Sequence, residues 1–389
     1  MNNNKHHRIA LVINTDGLEY DDRVRKEIIS TQKLFPNVEF KIFAIIGGKE
    51  NNKDTEGVTS YGTPYKTYYL KSREKYKNGE KDFRKLFEFT HKVLPDIKGY
   101  EAVWFAEITG ALTLMFARNK YILWDLHEIP SLFFGNIITK CALKYIFHKC
   151  NVVLHANPAR IDYIKGLGLI SDPSKHIALR NYPNFDDVDT EYDKKYFDCK
   201  EWINGRRCVY LQGLFADRRS PIETISAIMN TPDLIAIVVG PFDNEILDKL
   251  YDKYGKNALN ERVRFIGQIP QLKIPQYVLL CRFSLIFYKN VSANNYYCEA
   301  NRFYQSIVLG VPVVCGNNPS MREIIEKYGV GISIDDDGSS IDEITKGIET
   351  LMNNESEIRT NISNNKNQFL WDSQEPIISE AISKFIPVI

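Results

Sequence analysis

The chain has 389 residues, of which 44% are hydrophobic and 25% charged, a length and composition that predict a globular protein of two domains. Its formal net charge of +1 gives no electrostatic argument for binding nucleic acid or for strong adhesion to anionic lipid. Seven cysteines are scattered without a CxxC pair, which predicts reduced, mostly buried thiols rather than disulfides or a zinc site. No secretory leader is visible, and no apolar run approaches the roughly 20 residues that span a bilayer. We therefore expect a cytoplasmic protein, or one peripheral at the inner face of a membrane.

The N-terminal half begins with alternating predicted strands and helices. Residues 8–14 and 38–46 are apolar runs, and a helix is predicted to open at Asp22 between them. Continuous apolar runs are typical of strands buried on both faces of a parallel sheet. The alternation predicts a doubly wound α/β sheet, whose ligands bind outside the carboxyl ends of the strands. No GxGxxG follows the first strand, so a dinucleotide-binding fingerprint is absent.

A polar segment, residues 51–98, follows and is rich in Lys, Arg and Tyr, with helical character near residues 83–93. Its basic residues are mixed with acidic ones, which favours a solvated face over a contact with an acceptor or a membrane. Further along, residues 133–148 form an apolar helix containing lysines, which we expect to pack on the sheet rather than to insert into a membrane. An acidic segment, residues 184–200, is the predicted linker between the domains.

His127 and Glu128 directly follow the second of two predicted strands, residues 102–106 and 121–125. The carboxyl end of a parallel strand is where ligands meet this architecture. Histidine titrates near neutrality and can donate or accept a proton at a reacting centre. The pair is therefore a candidate for catalysis, with an ordinary packed histidine as the alternative.

The second half repeats the rhythm of strand, loop and helix. A predicted strand, residues 208–213, stops at Gly213, and a loop with Arg218 and Arg219 leads to a helix start at Ser220 and Pro221. Serine is a favoured N-cap and proline a favoured first helical residue. Two arginines beside a glycine turn can clamp a phosphate, because guanidinium groups bind phosphate oxygens in bidentate fashion. Further strands are predicted at residues 235–241, 263–270, 283–288 and 331–335, followed by helices at residues 341–352 and 365–385.

Residues 299–314 form the stretch around which this half is organised: a polar loop, a short helix, Gly310 and an apolar strand. The helix opens with Asn301 and Arg302, and its free N–H groups and positive dipole end suit a phosphate. An ordinary surface helix leading into a buried strand is the alternative.

The chain resembles the retaining GT-B glycosyltransferases, and in particular the large family-4 group. The similar blocks cover most of the chain in the expected order: residues 22–27, 125–128, 180–183, 210–220, 263–277, 300–314 and 319–325. The resemblance implies an α/β GT-B fold of two Rossmann-like domains that face each other across a cleft. It implies residues 1–184 as the acceptor-side domain, residues 185–365 as the donor domain, and residues 366–389 as a helix packing back towards the N-terminal domain.

The resemblance also implies transfer of a sugar from a UDP- or GDP-sugar to a glycan, lipid-linked or protein acceptor, in surface-polysaccharide or glycoconjugate biosynthesis. It implies retention of the anomeric configuration, with no metal and no further cofactor. The net charge of +1 gives no reason to expect a nucleic-acid partner. The residues it assigns to the donor are Gly213, Arg218, Arg219, Gly267, Asn301, Arg302 and Gln305. It assigns His127, Glu128 and Glu299 to catalysis, and Asp22 and Arg23 to the cleft or acceptor side.

Two positions depart from the family pattern. Tyr297 and Gln305 stand where two glutamates are usual, and Glu299 lies close enough in sequence to replace one of them. Ser220 also stands where glycine is common. A neutral Gln305 binds ribose hydroxyls more weakly than a carboxylate does. The alternatives are therefore a non-catalytic GT-B paralogue that serves another transferase as a partner subunit, and a nucleotide-sugar epimerase.

Overall fold

The computed structural model describes residues 6–15, 17–19, 21–46, 53–72, 83–184, 189–213 and 216–387. The chain folds into two compact units. The N-terminal unit comprises Met1–Asn181 together with Gln374–Ile389, and the C-terminal unit is Tyr182–Ser373. Within the described residues, no helix has the length and apolar character needed to cross a bilayer.

The N-terminal unit is built on a sheet with eight strands among its described residues, in the order β3-β4-β2-β1-β5-β6-β7-β8. All neighbouring strands in it are parallel except β3 and β4, which pair antiparallel. The strands are β1 (His7–Thr15), β2 (Val38–Ile46), β3 (Thr55–Val58), β4 (Pro64–Thr67), β5 (Ala102–Ala106), β6 (Tyr121–Leu126), β7 (Val152–His155) and β8 (His176–Ala178). The helices of this unit are α1 (Asp22–Leu34), α2 (Phe83–Ile97), α3 (Ala111–Phe116), α4 (Ile137–Lys149), α5 (Pro158–Gly166) and, from the end of the chain, α15 (Glu375–Phe385).

Buried aliphatic and aromatic side chains from both faces of the central strands fill the core of this unit. β5 and β6 are buried along their whole length, as their apolar sequences predict. α15 packs against α1, and Phe385 makes an edge-to-face contact with Trp104 of β5. The sequence analysis did not predict the β3–β4 hairpin within residues 51–98, which extends the sheet at its edge.

The C-terminal unit contains a parallel sheet with six strands among its described residues, in the order β11-β10-β9-β12-β13-β14. The strands are β9 (Arg207–Gln212), β10 (Leu234–Val239), β11 (Val263–Gly267), β12 (Phe283–Ile286), β13 (Val313–Cys315) and β14 (Gly331–Ser333). The helices are α6 (Lys194–Ile203), α7 (Pro221–Asn230), α8 (Asn244–Tyr254), α9 (Lys256–Arg262), α10 (Ile274–Val278), α11 (Ala293–Tyr296), α12 (Asn301–Val308), α13 (Pro319–Tyr328) and α14 (Ile341–Asn365).

The predicted end of α14 near residue 352 is wrong, because the helix continues to Asn365. Ile358 and Ile362 of its second half are buried in the core of the unit. This packing stabilises the helix through a polar, asparagine-rich sequence. The predicted helix over residues 365–385 is likewise replaced by two short 3-10 turns followed by α15.

Candidate functional site

The strongest candidate site of the C-terminal unit lies at the carboxyl ends of β9, β10 and β11. A glycine with positive φ follows or ends each of these adjacent strands: Gly213 at 100°, Gly240 at 107° and Gly267 at 74°. The Gly213 N–H donates to the Val239 carbonyl at 3.0 Å, and the Gly240 N–H donates to the Gly267 carbonyl at 2.8 Å. A β-carbon on Gly240 would lie 3.3 Å from the Gly213 nitrogen, so the two turns pack closely. At the carboxyl ends of these three strands, where parallel sheets of this kind bind ligands, the backbone turns sharply at a glycine.

Two arginines converge beside Gly213. A β-carbon on Gly213 would overlap Nη1 of Arg219 and would lie 3.2 Å from Nη1 of Arg302. Both guanidinium groups lie over the ring of Tyr288, at 5.3 Å for Arg219 and 5.1 Å for Arg302. Nη1 of Arg302 also donates to the Gln212 carbonyl. Because Gly213 has no side chain, both guanidinium groups can occupy the space beside it.

No carboxylate forms an ion pair with Arg219 or Arg302 within the described part of the chain. The Nε atoms of both arginines are buried and make no hydrogen bond to described residues. Burial lowers the pKa of Arg219 below its ordinary value, and the neighbouring charge of Arg302 lowers it further. The two guanidinium groups are partly removed from water, and their like charges repel each other. An anion bound between them would offset both the desolvation and the repulsion. The pair is a candidate phosphate site.

α12 presents its N-terminus at this site, because Arg302 belongs to its first turn. Its N-cap, Ala300, has no side chain that could accept from the free N–H groups. Phe303 and Ile307 hold the helix on the core of the unit. The sequence prediction of a helix start suited to a phosphate thus coincides in space with the arginine pair.

The remaining donor candidates differ in exposure. Arg218 is exposed, Asn301 is exposed, and Gln305 is half-buried on α12. Glu299 accepts a hydrogen bond from the Tyr304 hydroxyl at 2.8 Å, which holds its carboxylate within the unit.

Ser220 precedes α7 as predicted, but it does not cap the helix. Its φ is +54°, its hydroxyl makes no capping hydrogen bond, and the residue is fully buried. A β-carbon on Gly338 would lie 2.9 Å from the Ser220 hydroxyl oxygen, so the serine is enclosed by a second loop. The left-handed backbone explains why glycine suits this position, and why a serine here is strained.

A second candidate site lies in the N-terminal unit, where charged side chains surround His127. Nε2 of His127 lies 2.6 Å from Oδ2 of Asp125, and Nδ1 lies 2.5 Å from Oε1 of Glu107. Asp125 in turn forms a bidentate pair with Arg23, at 3.1 Å and 2.8 Å. Arg23 also donates to the Leu179 carbonyl at 3.0 Å. The imidazole is therefore clamped between two carboxylates, one of which is held in place by a buried arginine.

These contacts set the charge of the cluster. Burial by itself lowers the pKa of His127, but Asp125 and Glu107 outweigh burial and raise the pKa well above its ordinary value. Burial would raise the pKa of Asp125, yet Arg23 and His127 hold that pKa below its usual range. Burial and the charge of Asp125 together raise the pKa of Glu27, which lies 2.9 Å from Arg23, despite the opposing charge of Arg23. At neutral pH the cluster holds an imidazolium whose two N–H groups both point at carboxylates.

The structure gathers some of the predicted N-terminal residues and separates others. Arg23 is only 5% exposed, so it acts on His127 through Asp125 from inside the unit. Asp22 forms ion pairs with Arg25 and Lys26 of its own helix, at 3.0 and 2.7 Å. Glu128 is exposed.

Sequence reasoning missed Glu107. It directly follows β5, the strand beside β6, and its φ of +70° is unusual for a residue with a side chain. The Glu107 N–H donates to the Asp125 carbonyl at 2.9 Å, and its own carbonyl accepts from the Trp124 indole at 3.0 Å. The signal that could have identified it was its place at the carboxyl end of a strand next to the one that carries His127.

Comparisons with known proteins show what this chain is similar to. Residues 221–369, which lie within the C-terminal unit, match the family described as Glycosyl transferases group 1. No curated protein sequence matches the chain significantly.

Several solved structures match almost the whole chain. Sucrose-phosphate synthase from Thermosynechococcus elongatus shares 14% identity with a TM-score of 0.74, covering 98% of this chain and 100% of that one. HepE (Alr3699) from Anabaena, in complex with UDP-glucose, shares 15% with a TM-score of 0.69, covering 97% and 100%. An α,α-trehalose 6-phosphate synthase from Burkholderia multivorans shares 10% with a TM-score of 0.74, covering 98% and 100%. The predicted GT-B fold and the predicted glycosyltransferase domain are confirmed.

Proposed function

We propose that the protein transfers a sugar from a nucleoside-diphosphate donor, and that the C-terminal unit binds this donor. The observation that carries the proposal is the convergence of Arg219 and Arg302 beside Gly213, without a carboxylate counter-ion among the described residues. A diphosphate supplies the negative charge that this pair requires, and the N-terminus of α12 adds backbone N–H groups at the same place. HepE, which shares the fold, is a protein whose structure contains UDP-glucose.

The donor residues act together on one ligand. Arg219 and Arg302 neutralise the diphosphate, with Arg218 and the backbone near Asn301 as further contacts. Gly267 leaves room for the base at the end of β11, and Gln305 binds the ribose as a neutral partner. A UDP-sugar is our first choice of donor, because UDP is the nucleotide in the HepE structure, and a GDP-sugar is the alternative. Cationic side chains stabilise a departing diphosphate directly, which supports chemistry that needs no metal.

The N-terminal cluster has an electrostatic role in this proposal. Both ring nitrogens of His127 face carboxylates, so this residue is proposed to act as a fixed positive charge rather than as a free base. Glu128 and Glu299 are the further catalytic candidates. Asp22 is the candidate for the acceptor side, whereas the buried Arg23 would act there only through Asp125. We propose retention of the anomeric configuration, in keeping with the resemblance to family 4.

For the acceptor we propose a glycan, a lipid-linked sugar or a protein, within surface-polysaccharide or glycoconjugate biosynthesis. The proposed location is the cytoplasm, with peripheral association at the inner face of the membrane. No nucleic-acid partner is proposed, since the formal net charge of the chain is only +1.

The proposal is tested by measuring donor binding and turnover with a panel of UDP-, GDP- and CMP-sugars. Arg219→Ala should weaken binding of the preferred donor by about 10- to 100-fold, the cost of a charge-assisted hydrogen bond. Arg207→Ala is the matched control, because Arg207 is exposed at the opposite end of the same strand, β9. Absence of binding to every donor, or equal affinities for the Arg219 variant and the wild type, would refute the proposed site.

A second candidate is a non-catalytic subunit that assists another transferase. The observation that favours it is the replacement of the two expected glutamates by Tyr297 and Gln305. Turnover of a sugar donor by the purified wild-type protein would exclude this alternative, whereas donor binding without turnover would support it.

A further inference from the structure

Tyr288 lies two residues beyond the end of β12, and its ring contacts both arginines of the candidate phosphate site. The guanidinium carbon of Arg219 lies 5.3 Å from the ring centroid, and that of Arg302 lies 5.1 Å from it. The two arginines come from different elements, since Arg219 ends the 3-10 turn before α7 and Arg302 belongs to the first turn of α12. One aromatic ring therefore joins the two cations of the site.

The residue after Tyr288 ties the arginine-bearing turn to the end of β12. The Lys289 N–H donates to the Arg218 carbonyl at 2.9 Å. Nζ of Lys289 lies 3.1 Å from a carboxylate oxygen of Asp217, in the same turn, and 3.0 Å from one of Glu223, in α7. These contacts fix the backbone of the turn relative to the ring, and they engage the two nearby carboxylates with a lysine rather than with the arginines.

The ring of Tyr288 supports the two cations without neutralising them. Tyr288 is 9% exposed and belongs to the core of the C-terminal unit. Burial raises the pKa of its hydroxyl above the ordinary value, although the charge of Arg302 opposes this change, so the side chain is neutral at pH 7. An aromatic face attracts a cation through its quadrupole, whereas a carboxylate at this place would form an ion pair and compete with a bound anion.

Holding the arginines together before a ligand arrives favours binding. Two guanidinium groups side by side repel each other, and free arginine side chains lose conformational entropy when a ligand orders them. A ring that attracts both groups reduces the repulsion and restricts their motion in advance. Less of the binding free energy is then spent on assembling the pair.

We propose that Tyr288 is a positioning residue, whose ring holds Arg219 and Arg302 side by side in the arrangement that receives a diphosphate. The inference deepens the proposed function, on which it rests for the identity of this diphosphate as part of a nucleotide-sugar donor. Tyr288 acts through the two arginines and takes no part in the reaction itself.

The test is calorimetric titration of the full chain with inorganic pyrophosphate and with UDP. Tyr288→Leu removes the aromatic face and should weaken the binding of both ligands by about tenfold, the effect of losing cation–π contacts at a partly desolvated site. Tyr288→Phe keeps the face and should bind both ligands as the wild type does. In the Arg219→Ala background, Tyr288→Leu should cost less affinity than it does in the wild type, because one of its two partners is already gone.

Tyr277→Leu is the matched control, because Tyr277 is a fully buried tyrosine of the same unit that packs edge-to-face on Tyr196 of α6. It should lose stability in urea and keep its affinity for both ligands, and urea unfolding should show that every variant is folded under the assay conditions. An unchanged affinity in Tyr288→Leu, or a loss in Tyr288→Phe as large as that in Tyr288→Leu, would overturn the positioning role.

The outcomes separate this inference from the proposed function. Turnover of a nucleotide sugar that Tyr288→Leu leaves at the wild-type level at every donor concentration would overturn the positioning role alone. Pyrophosphate binding that depends on Tyr288, without binding of any nucleotide sugar, would refute the transferase function and support the positioning of the arginine pair. A wild-type protein that binds neither pyrophosphate nor UDP would overturn both.

Discussion

Replacing Gly213 by alanine tests two separate effects: the strain of a positive φ at the end of β9, and the displacement of Arg219, which lies beside this glycine. The φ of Gly213 is +100°, and a non-glycine residue held in such a region costs about 1–3 kcal/mol. The added methyl group would also overlap Nη1 of Arg219. That atom is the far end of a flexible side chain, so the arginine can move aside at little further cost to the fold. We therefore expect Gly213→Ala to lose about 1–3 kcal/mol of unfolding free energy.

Donor affinity should fall by more than this strain explains. A displaced Arg219 loses its charge-assisted contacts with the diphosphate, worth about 1.5–3 kcal/mol, or roughly 10- to 100-fold in affinity. The assays are calorimetric titration with UDP and urea unfolding. Gly255→Ala is the control, because Gly255 has a φ of +77° with no atom within 4 Å of its β-carbon position. It should lose stability and keep its affinity for UDP.

A double-mutant cycle makes the mechanism testable. If the alanine acts by displacing Arg219, adding Gly213→Ala to Arg219→Ala should cause little further loss of UDP affinity. Additive losses in the double variant would refute the reasoning, and so would an unchanged affinity in Gly213→Ala alone.

Two further predictions concern the two candidate sites. Glu107→Gln removes one carboxylate from His127, so the raised pKa of His127 should fall, as measured by NMR of 13C-labelled histidine with His127→Gln for assignment. A raised folded pKa gives stability that is complete below the unfolded value of about 6.5 and is lost as pH rises through the folded value. The urea stability of Glu107→Gln should therefore decline at lower pH than that of the wild type, and an identical titration would show that Glu107 does not act on the imidazole. Gln305→Glu should tighten UDP binding by a few-fold if this residue meets the ribose, because a charged acceptor makes the stronger hydrogen bond. An unchanged affinity, with unfolding as the stability control, would place Gln305 away from the ribose.

Much of the fold was predictable from local sequence. β2 and β5 begin and end at the predicted residues, since continuous apolar runs can be satisfied only inside a sheet that is covered on both faces. β3 and β4 were missed because this short hairpin is only partly buried and carries no continuous apolar run. The second half of α14 was missed because its helical state depends on the burial of Ile358 and Ile362 against distant parts of the unit.

The chemistry of the sites divides in the same way. The residue types at the strand ends, Gly213 with Arg219 and Asp125 with His127, were visible in sequence, because parallel strands bring their carboxyl ends to one edge. The tertiary structure alone decided which side chains meet there. It placed Arg302 beside Arg219 across 83 positions of sequence, and it placed Glu107 against His127. Charge interactions act over a few ångströms in space whatever the separation along the chain, so only the packed sheet determines them.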